Sequence, residues 1–242
     1  MSGPKIAPKI AMVLAAGLGT RMRPLTDDRP KALVEVGGRA LIDHMLDRLV
    51  EAGVETAVVN VHAFADRLEA HLMARQAKGL GPRLVISDER PQALETGGGI
   101  KHALPLLGDG PVWVANIDSV WIESGAPALD AVVAAWDPDR MDVCLLLAST
   151  AGSLGFHDSG DVFLDDGVVR FKDPGEMAPL VYVGVHICKP AITADGPDGP
   201  FSLTPIWKGL AAHRRVHGVS PEGLWMHVGD PGARDLAEAK LT

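Results

Sequence analysis

The sequence predicts an α/β fold, a mixed and mostly parallel sheet flanked by helices, with a small β-rich part toward the C-terminal end. Three observations predict it. Through about residue 150, short β-rich runs alternate with stretches of helical periodicity, the pattern of strand–helix–strand units. Beyond residue 150 the runs shorten and turn signals crowd between them. The chain also has 242 residues at 47% apolar content, enough to bury one large core. No internal repeat, low-complexity segment or long linker divides it, so residues 1–242 are expected to form a single domain.

The elements follow in order. The apolar run Ile10 to Leu14 is the opening strand. A helix is expected over Ala40 to Ala52, where Leu41, Ile42, Met45, Leu46, Leu49 and Val50 recur at i, i+3, i+4 spacing and Gly53 stops it. "ETAVVNVH" reads as a buried strand, Phe64 to Ala77 as the next helix and "RLVISDE" as the third strand. "GGIKHALPLL" reads as a helix entered through three glycines and "PVWVANID" as the fourth strand, and the pattern changes beyond "DVCLLLAS", around residues 142 to 149. "GDVFLD", the turn "DDG", "VVRFK" and "VYVGVHI" make up the β-rich part, expected to lie against the α/β core. "SLTPIWKGLAAH" returns to helical spacing, "LWMHVG" is one more strand, and "DPGARDLAEAKL" closes the chain as a helix.

Composition excludes several classes. A formal net charge of -8 lacks the basic surface that non-specific nucleic-acid or anionic-membrane binding needs, so an anionic ligand must be met by a local positive site. Cys144 and Cys188 each sit in an apolar run without C-x-x-C spacing, which reads as buried thiols in a reducing compartment. Lys5 and Lys9 before "IAMVLAAGLG" resemble a signal peptide only superficially, because Arg21, Arg23 and "RPK" are poor cleavage-site surroundings. The expectation is a cytoplasmic protein whose residues 1–8 form a frayed tail.

The chemistry starts at the end of the first strand. A strand that runs into glycines and then a helix can cradle phosphate, because backbone N–H groups approach the oxygens closely where no β carbon intervenes. Met22 stands where G-x-G-x-x-G needs its third glycine, and the G-x-x-x-x-G-K-[ST] loop has no match. What remains is Gly17 and Gly19 followed by Thr20, Arg21, Arg23 and, after a proline-bounded turn, Lys31. A guanidinium grips two phosphate oxygens with a fixed fork, whereas a lysine acts as a mobile point charge on an oxyanion. Together they describe a triphosphate clamp.

The stretch "LAAGLGTRMRPLTDDRPKALVEVGG", residues 14–38, resembles the signature of the sugar-phosphate nucleotidylyltransferase family. That resemblance implies a Rossmann-like, GT-A-like fold, condensation of a nucleoside triphosphate with a sugar 1-phosphate, release of pyrophosphate, and Mg2+ as cofactor. It implies that the backbone at Ala15, Ala16, Gly17, Gly19 and Thr20 holds the nucleotide, that Arg21 holds the β and γ phosphates, and that Lys31 meets the α-phosphate region. The nucleotide-binding part would span about 9–150, and the sugar-binding and closing part about 151–242.

Three further stretches extend the resemblance. "LETGGGI", residues 94–100, reads on its own as a strand-to-helix turn, and by resemblance as the base-recognition loop, with Glu95 and Gly97 at the nucleotide. Family members that use UTP and N-acetylmuramate 1-phosphate carry such an "ETGGGI" followed by "ALPLLGD", as here. Other sugar 1-phosphates (glucose, mannose, heptose), phosphocholine, or a binding role without catalysis stay open as alternatives. Asp118 in "VWVANIDSVW" lies at the carboxyl end of a strand and is the expected Mg2+ ligand, although Ile117 stands where the family usually has Gly. In "WMHVGD", His227 occupies the family's second-ligand Asp position, so His227 or Asp230 is the candidate there. For the acceptor, Lys172 in "VVRFKDP" is the candidate for the sugar phosphate and Gly184 in "YVGVHI" the residue bordering the sugar.

No general base is needed, because the attacking phosphate is already ionised near neutral pH. Catalysis then falls to alignment and charge neutralisation by Arg21, Lys31 and the metal on Asp118. The expected partners are a nucleoside triphosphate and a sugar 1-phosphate, without nucleic acid or membrane, for a monomer or small homo-oligomer.

Overall fold

The computed structural model describes residues 7–242; most of the expected N-terminal tail, residues 1–6, lies outside the described residues. Strand β1 (Ile10–Leu14) is buried through its centre, and its side chains part by the two-residue period of a strand. Ala11 and Val13 enter one apolar core and Met12 the other. Two short strands, β2 (Glu35–Val36) and β3 (Arg39–Ala40), turn through the left-handed Gly37 and Gly38 and deliver helix α1 (Leu41–Glu51). Its buried stripe is Leu41, Ile42, Met45, Leu46 and Leu49. Val50, expected on that face, lies at its edge and is 42% exposed. The helix ends where Gly53, at φ +81°, closes back onto the Val50 carbonyl.

The chain then alternates as expected: β4 (Thr56–Val61), α2 (Ala65–Ala77), β5 (Arg83–Asp88), α3 (Glu95–Leu107) and β6 (Val112–Asn116). Strands β5, β4, β1 and β6 lie side by side in that order, all parallel. After β6 come β7 (Ser119–Glu123), α4 (Ala128–Ala135) and β8 (Val143–Ser149). The hairpin β9 (Val162–Asp165) and β10 (Val168–Phe171) turns on the left-handed pair Asp166 and Gly167. Then follow β11 (Leu180–Cys188), α5 (Thr204–Ala212), β12 (Val216–Val219), β13 (Gly223–His227) and α6 (Pro231–Leu241).

The β-rich part does not lie against the parallel half but continues its sheet. The order is β5-β4-β1-β6-β11-β8-β12-β10-β9, with β11 inserted antiparallel between β6 and β8. Only β11 and β10 run against the other seven strands. The reason is in the sequence of β11: Val181, Val183, Val185 and Ile187 fill one core and Cys188 the other, so the strand must be covered on both faces. Helices α1, α2 and α4 cover one face, and α3 and α5 the other. Cys144 and Cys188 are buried thiols on adjacent strands, not bridged to each other. No helix among the described residues is long and apolar enough to cross a membrane.

Strand β7 was hidden inside the apolar run "VWVANIDSVWIE": the chain leaves the main sheet at Ile117 and Asp118, and β7 pairs with β13 in a separate two-stranded arm. That arm brings the C-terminal "WMHVGD" to the end of β6, where the Val228 N–H donates to the Asp118 carbonyl at 2.8 Å.

Candidate active site

The parallel strands β1, β4, β5 and β6 all end on one side of the sheet, where open α/β folds place their ligands. A cavity of about 460 Å³ opens there. Its wall takes residues 14–21 from the end of β1 onward, Asn60 from β4, Glu89 and Ala93 after β5, Glu95 and Thr96 at the start of α3, and Asn116 to Asp118 at the end of β6. Lys31 and Gly229 complete it. A larger hollow of about 630 Å³, lined by Arg39, His44, Arg48 and Trp121, shares no wall residue with it. There the charges are already paired, Arg39 with Asp47 and Arg48 with Glu123.

The Gly-rich loop is held from beneath. Ala15 and Ala16 donate their N–H groups to Asn60 Oδ1 at 2.6 and 3.1 Å, so these two donors are spent within the protein. The N–H groups of Gly17, Leu18 and Gly19 find no backbone or side-chain acceptor among the described residues. Gly19 is left-handed at φ +63°, and a β carbon there would press on Thr26 and Lys31 at 3.1 and 3.2 Å. The Thr26 hydroxyl donates to the Gly19 carbonyl at 2.8 Å and pins the turn. A single 3-10 turn, Thr20–Met22, follows, anchored by the fully buried Met22. Arg21 and Thr20 thereby stand exposed on the cavity wall, and Arg21 has no ion-pair partner among the described residues.

Lys31 begins a second 3-10 turn, Lys31–Leu33, and its Nζ donates to Asp118 Oδ2 at 2.8 Å across 87 residues of sequence. Both side chains are mostly enclosed, 12% and 21% exposed. Burial pushes the Asp118 carboxyl up, but the Lys31 charge, His227 and the Lys31 hydrogen bond outweigh it and hold the group below the usual carboxylate range. His227 is also held below its usual value, which for an imidazole favours the uncharged form: burial is the main cause, the Asp118 charge opposes it, and Lys31 and Arg21 reinforce it. The sequence-derived trio of Arg21, Lys31 and Asp118 thus meets on one cavity wall, with His227 behind.

Other expected residues are placed differently. Glu95 and Thr96 line the cavity, and Glu95 has a left-handed backbone at φ +60°. Gly97 does not reach the cavity wall: it is buried inside α3, and its N–H donates to the Phe201 carbonyl at 2.8 Å. The triple glycine is accordingly not the turn expected before the helix. A β carbon at Gly97 would stand 2.3 Å from the Phe201 ring, at Gly98 2.5 Å from the Gly199 carbonyl, and at Gly99 2.9 Å from Glu89 Oε1. Asp230 caps α6, its Oδ1 accepting from the Ala233 N–H at 2.9 Å, so one of its oxygens is committed to the helix. Lys172, just past β10, donates to Ser159 Oγ and lies off the cavity wall. Gly184 forms the bulge of β11 at φ +88°, where a β carbon would meet Asn116 at 3.0 Å, so it backs the wall through that residue.

Sequence reasoning missed Asn60 and Glu89. A signal was present: one asparagine in the otherwise apolar end of "TAVVNV" demands buried partners.

A family model described as a MobA-like NTP transferase domain matches residues 11–194. The chain is 80% identical to the N-acetylmuramate alpha-1-phosphate uridylyltransferase of Caulobacter vibrioides, over 97% of this chain and 98% of that one. It is 35% identical to the protein of that name from Neisseria meningitidis serogroup B, over 90% of this chain and 92% of that one. Among solved structures, the inositol-1-phosphate CTP transferase from T. maritima shares the fold at a TM-score of 0.79 and 17% identity, covering 98% and 97% of the two chains. A UDP-glucose pyrophosphorylase complexed with UDP-glucose does so at 0.77 and 19%, covering 96% and 97%. By a family model that matches most of its length and by the two uridylyltransferase relatives, the chain belongs to the MobA-like NTP transferase family, among its sugar-phosphate nucleotidylyltransferases.

Proposed function

We propose that this chain transfers the uridylyl group of UTP to the phosphate of N-acetylmuramate α-1-phosphate and releases pyrophosphate. The reaction would return a cell-wall amino sugar to its nucleotide-activated form, in the cytoplasm where UTP is at hand. Support for the reaction class is the meeting, on one cavity, of the Lys31–Asp118 pair with backbone N–H groups and an Arg21 that have no partner among the described residues. Support for this base and this sugar is the 80% identity to the Caulobacter vibrioides protein of that activity.

In the transfer, an oxygen of the sugar phosphate attacks the α-phosphorus of UTP, and the bond to the β-phosphate breaks with its electron pair leaving on pyrophosphate. No proton has to move, so the protein's work is positional and electrostatic. Arg21 grips the β and γ oxygens, which also orients the leaving group opposite the attacking one. Lys31 leaves its bond to Asp118 in part and neutralises charge growing on the α-phosphate. The N–H groups of Gly17, Leu18 and Gly19 offer further donors to phosphate oxygens.

Mg2+ fits these residues. No group of three His, Cys, Asp or Glu side chains among the described residues could cage a metal, yet Asp118 supplies one ionised carboxylate on the cavity wall. Mg2+ is commonly held by one or two carboxylates, with substrate phosphates and water completing the shell. Asp118 would hold it, with the neutral His227 adjacent, and the ion would neutralise phosphate charge.

The test is a product screen. The purified protein is incubated with each nucleoside triphosphate and with N-acetylmuramate, glucose and mannose 1-phosphates, with and without Mg2+, and pyrophosphate and product mass are read. The expected product is UDP-N-acetylmuramate, lost on chelation. A higher kcat/KM with another pair overturns the substrate reading, and absence of pyrophosphate with every pair overturns the reaction.

A further inference from the structure

Two polar side chains of the cavity wall are buried and have no part in that chemistry: Asn60 and Glu89, each 2% exposed. Asn60 Oδ1 accepts from Ala15 and Ala16, and Asn60 Nδ2 donates to Glu89 Oε1 at 2.8 Å. Glu89 Oε2 accepts from the Leu94 N–H at 3.0 Å, immediately before the left-handed Glu95. Four hydrogen bonds therefore run without a break from the glycine loop to the loop that presents Glu95 and Thr96. Glu89 has no ion-pair partner among the described residues. A buried carboxylate without a cation is costly, and one whose oxygens both accept hydrogen bonds is retained only where the surroundings fix it. They do: Gly99 leaves the room that a β carbon would take from Glu89 Oε1, and His62 Nδ1 bonds the Glu89 carbonyl at 2.8 Å.

We infer that Asn60 and Glu89 are a positioning pair that holds two nucleotide-facing loops, residues 15–19 and 94–96, at a fixed spacing and thereby sets affinity for the nucleoside triphosphate, not for the sugar phosphate. The inference rests on reading this cavity as the nucleotide site. Its logic is polarity. Position 60 must accept on one side and donate on the other, while position 89 must accept on both. Asn60→Asp sets two carboxylates face to face. Glu89→Gln turns an amide nitrogen toward a donor, whether Asn60 Nδ2 or the Leu94 N–H. The double variant Asn60→Asp/Glu89→Gln restores all four hydrogen bonds with the central one reversed, because the new amide donates to the new carboxylate and its oxygen still accepts from Leu94.

The experiment measures KM for UTP and for N-acetylmuramate 1-phosphate, together with amide hydrogen exchange at Ala15 and Ala16 in the free protein, for wild type, both single variants and the double. Each single variant should raise the UTP KM about tenfold or more and speed exchange at Ala15 and Ala16, leaving the sugar-phosphate KM unchanged. The double variant should return both readouts to within about twofold of wild type. An unchanged UTP KM in the singles, an equal rise for both substrates, or a double no better than the worse single overturns the inference. Should a single variant fail to fold, the double decides alone: soluble with near wild-type UTP KM upholds it, and insoluble or impaired overturns it. Exchange is read without substrate, so the pairing can stand where uridylyl transfer fails, and can fall where transfer is observed.

Discussion

Gly97→Ala should destabilise this protein, against the usual sign for a glycine inside a helix. In an open helix interior the change gains about 1 kcal/mol, because alanine has less conformational freedom to lose. Gly97 is not in the open. An added β carbon would stand 2.3 and 2.4 Å from two ring carbons of Phe201 and 2.9 Å from its carbonyl oxygen, where carbon atoms normally approach to about 3.5–4 Å. The ring cannot swing away freely. Its residue is tied by three backbone hydrogen bonds, from Gly97 and Gly98 to its carbonyl and from its own N–H to the Leu94 carbonyl, and its tip packs on Gly196. Overpacking of this kind costs about 1–3 kcal/mol, which exceeds the helix gain and leaves a net loss of about 1–2 kcal/mol.

Urea unfolding midpoints would measure it, and a second background sharpens the reading. In Phe201→Ala the two ring contacts vanish and only the carbonyl contact at 2.9 Å remains, so Gly97→Ala should become close to neutral there. Gly98→Ala is the control. Its obstacle is the Gly199 carbonyl at 2.5 Å, which Phe201→Ala does not remove, so its penalty should persist. A Gly97→Ala protein as stable as wild type, or a penalty equal in both backgrounds, would refute the claim that the glycine triplet is a seat for Phe201.

Three other outcomes follow from named groups. Lys31→Ala should lower kcat by on the order of 10²-fold, as loss of one charge-stabilising donor does, and unchanged turnover would remove Lys31 from the mechanism. Asp230→Asn keeps an α6 cap and removes a carboxylate, so melting temperature and kcat should both stay near wild type, whereas Asp230→Ala should cost about 1 kcal/mol of stability; a large kcat loss in the Asn variant would instead make Asp230 a metal ligand. His186 is fully buried beside Tyr182 and Trp207, and burial pushes its pKa down to about 3. The unfolded chain, titrating near pH 6.5, then binds the extra proton throughout the interval between the two values, so stability should fall as pH drops from about 6.5 toward 3. His186→Gln should flatten that limb in urea midpoints taken from pH 7 to 4, and parallel curves would argue against it.

What was legible in the sequence was local. Apolar period located β1, α1, β4, α2, β5 and β6, because strand and helix repeats are set by neighbours within a few residues. The place of β11 between β6 and β8 was not, since sheet order depends on pairings between distant segments. Likewise Gly17, Gly19, Arg21 and Lys31 could be read as a clamp from their spacing, and Asp118 as a metal ligand from its place at the carboxyl end of a strand and from resemblance. The bond from Lys31 to Asp118, the cap made by Asp230, and the displacement of Lys172 from the wall all needed the folded chain.

The glycines show where local reading stops and what replaces it. Gly97, Gly98 and Gly99 look in sequence like a flexible entry to a helix, yet none has a positive φ and each is required by a neighbour that would collide with a side chain. Gly17 is the reverse case. Its backbone is ordinary, and a β carbon there would meet nothing within 4 Å among the described residues, so none of them demands glycine at that position. It nevertheless stands on the cavity wall with its N–H directed to no acceptor among the described residues. A glycine that no neighbour among the described residues requires, bordering a cavity whose arginine has no ion-pair partner among those residues, is accounted for by a partner that must come close to its backbone from outside. The triplet is thus a packing feature and Gly17 a ligand feature, although the two stretches look alike on the page of residues.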